Sequence, residues 1–221
     1  MNRDDAARRI ARQLPTHFLR GYALTKIRTD PVYAAVAERL RGSSAPLFDI
    51  GCGIGLMELY LRESGMTMPI IGIDHDTGKV EVARKIGARY DDLDFRSGDA
   101  RVAIPPGSVL ALDVLHYFST MEQAALLQTI VEAVPPGGVA IIRDAVRDRS
   151  FRYRLTRAQE AFSRAVRWLK AERLNFPTRE SIVDPFRENG FDVEVQPLWG
   201  RTPFNNYLFV FRRPESGSTS A

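Results

Sequence analysis

From residue 46 onward the chain alternates between two hydrophobic patterns. PLFDI (46–50), PIIGID (69–74), LDFRSGD (93–99), SVLALDV (108–114) and GVAIIRD (138–144) are short, apolar-rich runs with the length of buried strands. Between them, LMELYLRESG (56–65), TGKVEVARKIGA (77–88) and TMEQAALLQTIVEAV (120–134) place apolar residues at helical spacing. This alternation predicts a parallel sheet covered on both faces. After Asp144 the pattern changes. A long helix is predicted over 150–172, with Leu155, Ala158, Phe162, Val166 and Leu169 on one face and Arg157, Arg164, Arg167 and Lys170 on the other. A further helix over 178–190 contains Pro185, which is expected to bend or interrupt it. FDVEVQPLW and NNYLFVFRR then read as an antiparallel pair. Ahead of the first strand lie three helices: 3–13, a stretch around 16–27, and PVYAAVAERL, opened by Asp30 as cap and Pro31 in the first turn. The organisation expected is a helical segment over 1–45, an α/β domain over 46–213 with a helical insertion over 150–175, and a disordered tail over 214–221.

Charge sharpens this division. The 221 residues carry a net +4, but residues 1–45 hold 9 Lys/Arg against 4 Asp/Glu, residues 46–142 hold 7 against 13, and residues 143–221 hold 15 against 10. An acidic centre between basic ends differs from the uniform basic balance of a nucleic-acid binder, and no RNA-binding module is visible. The basic ends suit an anionic substrate or partner. One cysteine, Cys52, excludes an internal disulfide and fits a reducing compartment. No apolar run reaches the length of a membrane span and the N-terminus lacks a secretory core, so a cytoplasmic location is expected.

The candidate chemistry sits where the first strand enters the first following helix, FDIGCGIGLMEL. Glycines at alternate positions permit positive φ and close approach of the backbone to a ligand. A dinucleotide loop requires a third glycine at the place held here by Leu56, and a P-loop requires the absent G-K-[S/T]. Asp49, just ahead of the loop, repels a pyrophosphate and suits a ligand carrying an ammonium group. Asp74 ends the second strand, where a carboxylate can accept both ribose hydroxyls, a feature shared with NAD enzymes. Asp99 ends the third strand and Asp113 the fourth. Four acids near the C-terminal ends of consecutive strands make a set where each alone would be a cap or a solvated turn residue. The three histidines, His17, His75 and His116, show no metal-ligand spacing, and no metal is expected.

With LFDIGCGIG, IGIDHD, FRSGDA, ALDVLHYF and PPGGVAIIRD in this order, the sequence resembles the class I S-adenosylmethionine-dependent methyltransferases. The resemblance implies a Rossmann-like, mostly parallel seven-stranded sheet in the order 3-2-1-4-5-7-6, its last strand antiparallel, with helices on both faces and an N-terminal helical lid. It implies S-adenosyl-L-methionine as cofactor. Asp49 and the backbone through Gly51, Cys52, Gly53 and Gly55 would flank the methionine part. Asp74 would hold the ribose, His75 would lie beside the adenine, and Asp99 with Ala100 would contact it. Asp113 to Leu115 would line the sulfonium side. Tyr22, Lys26 and Arg28 on the lid would reach the cofactor carboxylate.

For the acceptor side, His116 reads either as a packing residue or as a general base, and Asp144 either as a partner of Arg143 or Arg147 or as that base. The segments RDRSFRYRL, RWLKAERLNFPTRESI and PLWGRTPFNNYLFVFRR are similar to methyltransferases of bacterial aryl polyene and xanthomonadin-type pigment pathways. That similarity implies a small aromatic, phenolic or carrier-bound acceptor. An acyl carrier protein would then dock on the basic face of the 150–172 helix. A methyltransferase acting on RNA or protein is the alternative. A non-catalytic cofactor binder is disfavoured by the intact set of acids and glycines.

Overall fold

The computed structural model of the chain describes residues 2–99, 104–148, 151–153, 174–199 and 205–215. Ala100, Arg157, Arg164, Arg167, Lys170 and, apart from helical residues 151–153, the helix expected over 150–172 lie outside the described residues. The strands form one seven-stranded sheet in the order β3-β2-β1-β4-β5-β7-β6, with helices around it. The chain divides into two compact units, Met1–Leu110 and Ala111–Ala221.

The first unit opens with α1 (Arg3–Gln13), α2 (His17–Thr29) and α3 (Val32–Arg39). Asn2 and Thr16 cap the first two through backbone N–H groups of Asp4 and Leu19. Asp30, expected as the cap of the third, lies one residue ahead of the actual cap, Pro31, and accepts the Val32 N–H at 3.0 Å. Ala6, Ala7, Ile10 and Leu14 of the α1 region are fully buried, so this helix is core rather than a solvated arm. It packs on α2 and on α4 (Leu56–Glu63), the helix that follows the glycine loop. Arg9 Nε and Tyr90 Oη both reach the Glu63 carboxylate, at 2.5 and 2.7 Å, and tie α1, α4 and the approach to β3 together.

β1 (Leu47–Ile50) and β2 (Ile70–Asp74) run parallel with Leu47 opposite Ile70, and β3 (Leu93–Ser97) runs parallel beyond β2 with Leu93 opposite Ile70. α5 (Thr77–Gly87) links β2 to β3, and Asp76 caps it by accepting the Lys79 N–H. As the edge strand, β3 buries fully only Phe95. That ring is surrounded by glycines. A Cβ on Gly55 would lie 2.6 Å from Phe95 Cζ, one on Gly72 2.9 Å from Cδ1, and one on Gly87 2.7 Å from Cε2. Close packing therefore fixes these glycines, since no real Cβ tolerates such approach.

β4 (Ser108–Leu112) leads through a 3₁₀ turn, Leu115–Tyr117, to α6 (Thr120–Ala133), which opens with a Ser119/Glu122 capping box. β5 (Val139–Ala145) is buried throughout. It pairs antiparallel with β7 (Asn206–Arg212), which pairs antiparallel with β6 (Asp192–Pro197). The predicted hairpin and reversed last strand are thus present. α7 (Arg179–Glu188) continues through Pro185, so of the expected bend or interruption the interruption does not occur. An internal proline costs about 3 kcal/mol. Here Ile182, Val183 and Phe186 are buried, Phe186 stacks on Phe211 at 3.7 Å, and a Thr178/Ser181 capping box holds the first turn. Together these outweigh the missing N–H.

Candidate functional site

The first unit shapes a cradle at the C-terminal ends of β1 and β2. Gly51, Gly53 and Gly55 all take positive φ, at 79°, 58° and 77°. Their roles differ. Gly55 makes room for Phe95, whereas a Cβ on Gly53 would meet nothing within 4 Å, so there the backbone faces open space. The N–H groups of the loop are turned inward. Those of Gly51 and Cys52 donate to the Ile73 carbonyl at 2.8 and 3.1 Å, and that of Gly55 to Cys52 at 3.0 Å. Gly53 N–H donates to Asp74 Oδ2 at 2.9 Å. A pyrophosphate site needs outward N–H groups and an unobstructed helix N-terminus. This loop spends those four donors internally, and Glu58 places a carboxyl in the first turn of α4.

Glu58 is the residue that sequence reasoning missed. Asp49 is 3% exposed and Glu58 0%. If both were ionised, Asp49 Oδ1 and both Glu58 oxygens would be buried with no donor. A proton held between the two carboxyls supplies one. Burial, reinforced by the negative charge of Glu58, holds Asp49 well above the usual carboxylate range. Burial likewise pushes Glu58 up to about 7. The same burial and acidic surroundings push the Cys52 thiol up, which makes it inert as a nucleophile. The signal for Glu58 was present in the sequence: one acid inside the run LMELYL, whose other five residues are apolar and all six buried.

Asp74 presents its carboxylate in a fixed pose, Oδ2 on Gly53 N–H and Oδ1 on Asp76 N–H, both at 2.9 Å. Each oxygen retains a second lone pair, as two ribose hydroxyls require. The His75 ring is 90% exposed, with Nδ1 3.4 Å from Asp74 Oδ1. Asp99 is exposed at the end of β3. The lid candidates engage partners nearby: Lys26 pairs with Asp30 at 3.0 Å and Arg28 with Asp4 at 3.4 Å, while Tyr22 is half exposed. An open glycine face, an anionic pocket floor and a pre-set carboxylate fit a cationic nucleoside ligand.

In the second unit, the acids at the ends of β4 and β5 take partners of different kinds. Arg143, buried, grips both oxygens of Asp113, with Nε on Oδ1 at 2.8 Å. Asp113 holds φ at 58° and donates its N–H to the Arg143 carbonyl at 2.8 Å. Asp144 therefore does not take Arg143. Residues alternate across a strand, so 143 and 144 face opposite ways. Asp144, fully buried, instead accepts from His116 Nδ1 at 2.6 Å, from the His116 N–H at 3.2 Å and from the Ala145 N–H at 2.8 Å. Because a carboxylate only accepts, Nδ1 carries the proton of this contact. Leu115 is fully buried beneath the turn, while Tyr117 and Phe176 flank the His116 ring at centroid distances of 4.3 and 5.6 Å. Tyr153 packs edge-on against Phe176 at 5.9 Å. Among the described residues no group of three or more His, Cys, Asp or Glu could hold a metal ion, and no helix is long and apolar enough to cross a membrane.

A family model described as methyltransferase domain matches residues 6–196. The chain belongs to this family and is by class an S-adenosylmethionine-dependent methyltransferase. It is 27% identical over 173 residues to trans-aconitate 2-methyltransferase of Sinorhizobium fredii (strain NBRC 101917 / NGR234), covering 76% of this chain and 66% of that protein. It is 30% identical over 158 residues to carboxy-S-adenosyl-L-methionine synthase of Pseudomonas syringae pv. tomato (strain ATCC BAA-871 / DC3000), covering 62% and 64%. The chain thus spans just under two thirds of the length of each. Among solved structures, magnesium protoporphyrin IX methyltransferase from Synechocystis PCC 6803 with bound SAH superposes with a TM-score of 0.67 at 18% identity, covering 95% of this chain and 93% of that one. The methyltransferase SibL in its apo form superposes at 0.69 with 24% identity, covering 90% and 58%. At these identities the superpositions establish the fold.

Proposed function

We propose that this chain methylates a small phenolic acceptor, with His116 as the general base and Asp144 as the group that orients it. The observation that carries this reading is the 2.6 Å contact between His116 Nδ1 and a fully buried carboxylate. The cofactor supplies an electrophilic methyl group on a sulfonium. The cradle built on Asp49, Gly53 and Asp74 binds it, and the acids offset its positive charge. A phenol is protonated near neutral pH and is a poor nucleophile. His116 Nε2 accepts that proton, and Asp144 stabilises the imidazolium that forms. The methyl group would then pass to the phenolic oxygen, or to the ring carbon that the phenolate activates with loss of that carbon's proton, as its bond to the sulfonium breaks and S-adenosylhomocysteine leaves. Tyr117 and Phe176 offer flat apolar surface beside the base, which suits a planar ring.

Similarity to a trans-aconitate methyltransferase raises a second reading, a carboxylic-acid acceptor. A carboxylate is already ionised at neutral pH and needs no base. The His116–Asp144 pair is therefore the observation that favours the phenol. The sequence likeness to the aryl polyene enzymes supports the same acceptor class. A carrier-bound substrate docking on Arg157, Arg164, Arg167 and Lys170 extends the reading.

The test is a comparison of methyl transfer to 4-hydroxybenzoate, 4-hydroxycinnamate and trans-aconitate by the wild type and His116→Ala. Loss of phenol methylation in the variant, with cofactor affinity retained, is expected. Methylation of carboxyl groups alone, indifferent to His116, would overturn the proposal. Charge reversal of Arg164 and Arg167 should impair transfer to a carrier-bound phenol and spare the free acid.

A further inference from the structure

Gln123 lies on α6 and is 4% exposed. Its Nε2 lies 3.0 Å from the Leu115 carbonyl, 3.1 Å from that of Phe118 and 2.6 Å from that of Asn175. An amide carries two hydrogens, so three carbonyls converge on two protons. Leu115 and Phe118 bracket the 3₁₀ turn that carries His116, so the amide grips both ends of that turn. The third carbonyl belongs to the segment 174–178. Asn175 closes the circuit: its N–H donates to the His116 carbonyl at 2.8 Å, and its side-chain amide to Phe118 O at 3.1 Å and Thr120 Oγ1 at 3.2 Å. His116 is consequently fixed at its carbonyl by Asn175 and at both its N–H and its Nδ1 by Asp144. The same segment brings Phe176 against the ring. An apolar residue would fill the Gln123 position without the cost of burying an amide. The amide is used to hold carbonyls in place.

We infer that Gln123 is a positioning residue for His116: it clamps the Leu115–Phe118 turn to the 174–178 segment and so sets the direction of His116 Nε2. The inference rests on the base role given to His116 above, and its test separates the two. Gln123→Met keeps length and volume and removes the donor. Gln123→Leu also removes the donor, adds no buried charge against the three carbonyls and serves should the first variant not fold. Three quantities are read on each: affinity for S-adenosylhomocysteine by calorimetry, kcat with 4-hydroxybenzoate and 4-hydroxycinnamate, and the ring ¹⁵N signals of His116, which report which nitrogen carries the proton.

Affinity should stay within about twofold while kcat falls about 10- to 100-fold, the scale of a misplaced catalytic group. The His116 signals should pass from a pure Nδ1–H form to a tautomer mixture. Added to His116→Ala, either substitution should cost little more, because the clamp acts through that ring. Wild-type kcat in a folded variant, or a full further loss in the His116→Ala background, overturns the inference. Should His116→Ala alone leave transfer intact, the base role fails, and the tautomer signals still decide: an unchanged Nδ1–H form in both Gln123 variants refutes the clamp.

Discussion

Glu58→Gln tests the acid pair beneath the glycine loop. In the folded chain burial pushes Glu58 up to about 7 from an ordinary 4.5. At 1.36 kcal/mol per pH unit, that rise is worth about 3 kcal/mol. The folded state holds this proton more tightly than the unfolded state, so between the two values it binds more protons and stability falls as pH rises. Most of the change lies between pH 5 and pH 8, where the wild type should lose about 2–3 kcal/mol from this residue. For a chain of this length that corresponds to a fall in Tm of about 5–10 °C. In the variant a neutral amide takes the place of the acid and can donate to Asp49 Oδ1, the atom otherwise left without a donor. Its stability should match the wild type at pH 5 and exceed it at pH 8. Thermal unfolding followed by circular dichroism at pH 5, 6, 7 and 8, at constant ionic strength, measures the difference. Asp49 changes with it, since it loses the negative charge of Glu58 and gains the amide donor, both of which favour its ionised form and widen the difference at high pH. Parallel curves for the two proteins across this range would refute the shared-proton account.

Asp74→Ala should weaken S-adenosylhomocysteine binding at least about tenfold by calorimetry, because it removes a charged acceptor and leaves the Gly53 N–H undirected; unchanged affinity would show that Asp74 does not hold the ribose. Gly55→Ala should destabilise the chain by about 1–3 kcal/mol in urea, through overpacking against Phe95 and strain at positive φ. Phe95→Leu in the same chain should recover part of that loss. Asp144→Asn should lower kcat about 10²- to 10⁴-fold, since an amide can stabilise the wrong tautomer and cannot balance an imidazolium, while binding of S-adenosylhomocysteine stays as in the wild type.

The sheet was legible because its signal is local. Five apolar runs punctuated by helices predict strand type, and the observed β-strands lie within two residues of the predicted bounds. The cradle was legible in part. Asp49, Asp74 and the glycines stand at strand ends, where linear position reveals them. Glu58 was hidden because a helix-forming acid reads as solvated until the surrounding run is weighed. The partners of Asp113 and Asp144 could not be read from linear order either, since Arg143 and Asp144 are neighbours in the chain and face opposite sides of one strand. Gln123 carries no chemical signature of its own; its meaning lies in three carbonyls that only the folded turn brings together. That the helix continues through Pro185 was not legible either, since the burial of Ile182, Val183 and Phe186 belongs to the fold.

Phe95 bears on the order in which the glycine loop comes to be packed. The ring that fills the space beside Gly55 and Gly72 arrives from a strand some forty residues downstream of the loop. A chain that has left the ribosome only as far as β2 contains the whole glycine motif and lacks the wedge against which it is folded. The packing of the loop is therefore completed only once the edge strand is in place. Replacement of Phe95 by a larger ring would be felt at three glycines at once, which makes these four positions a single packing unit.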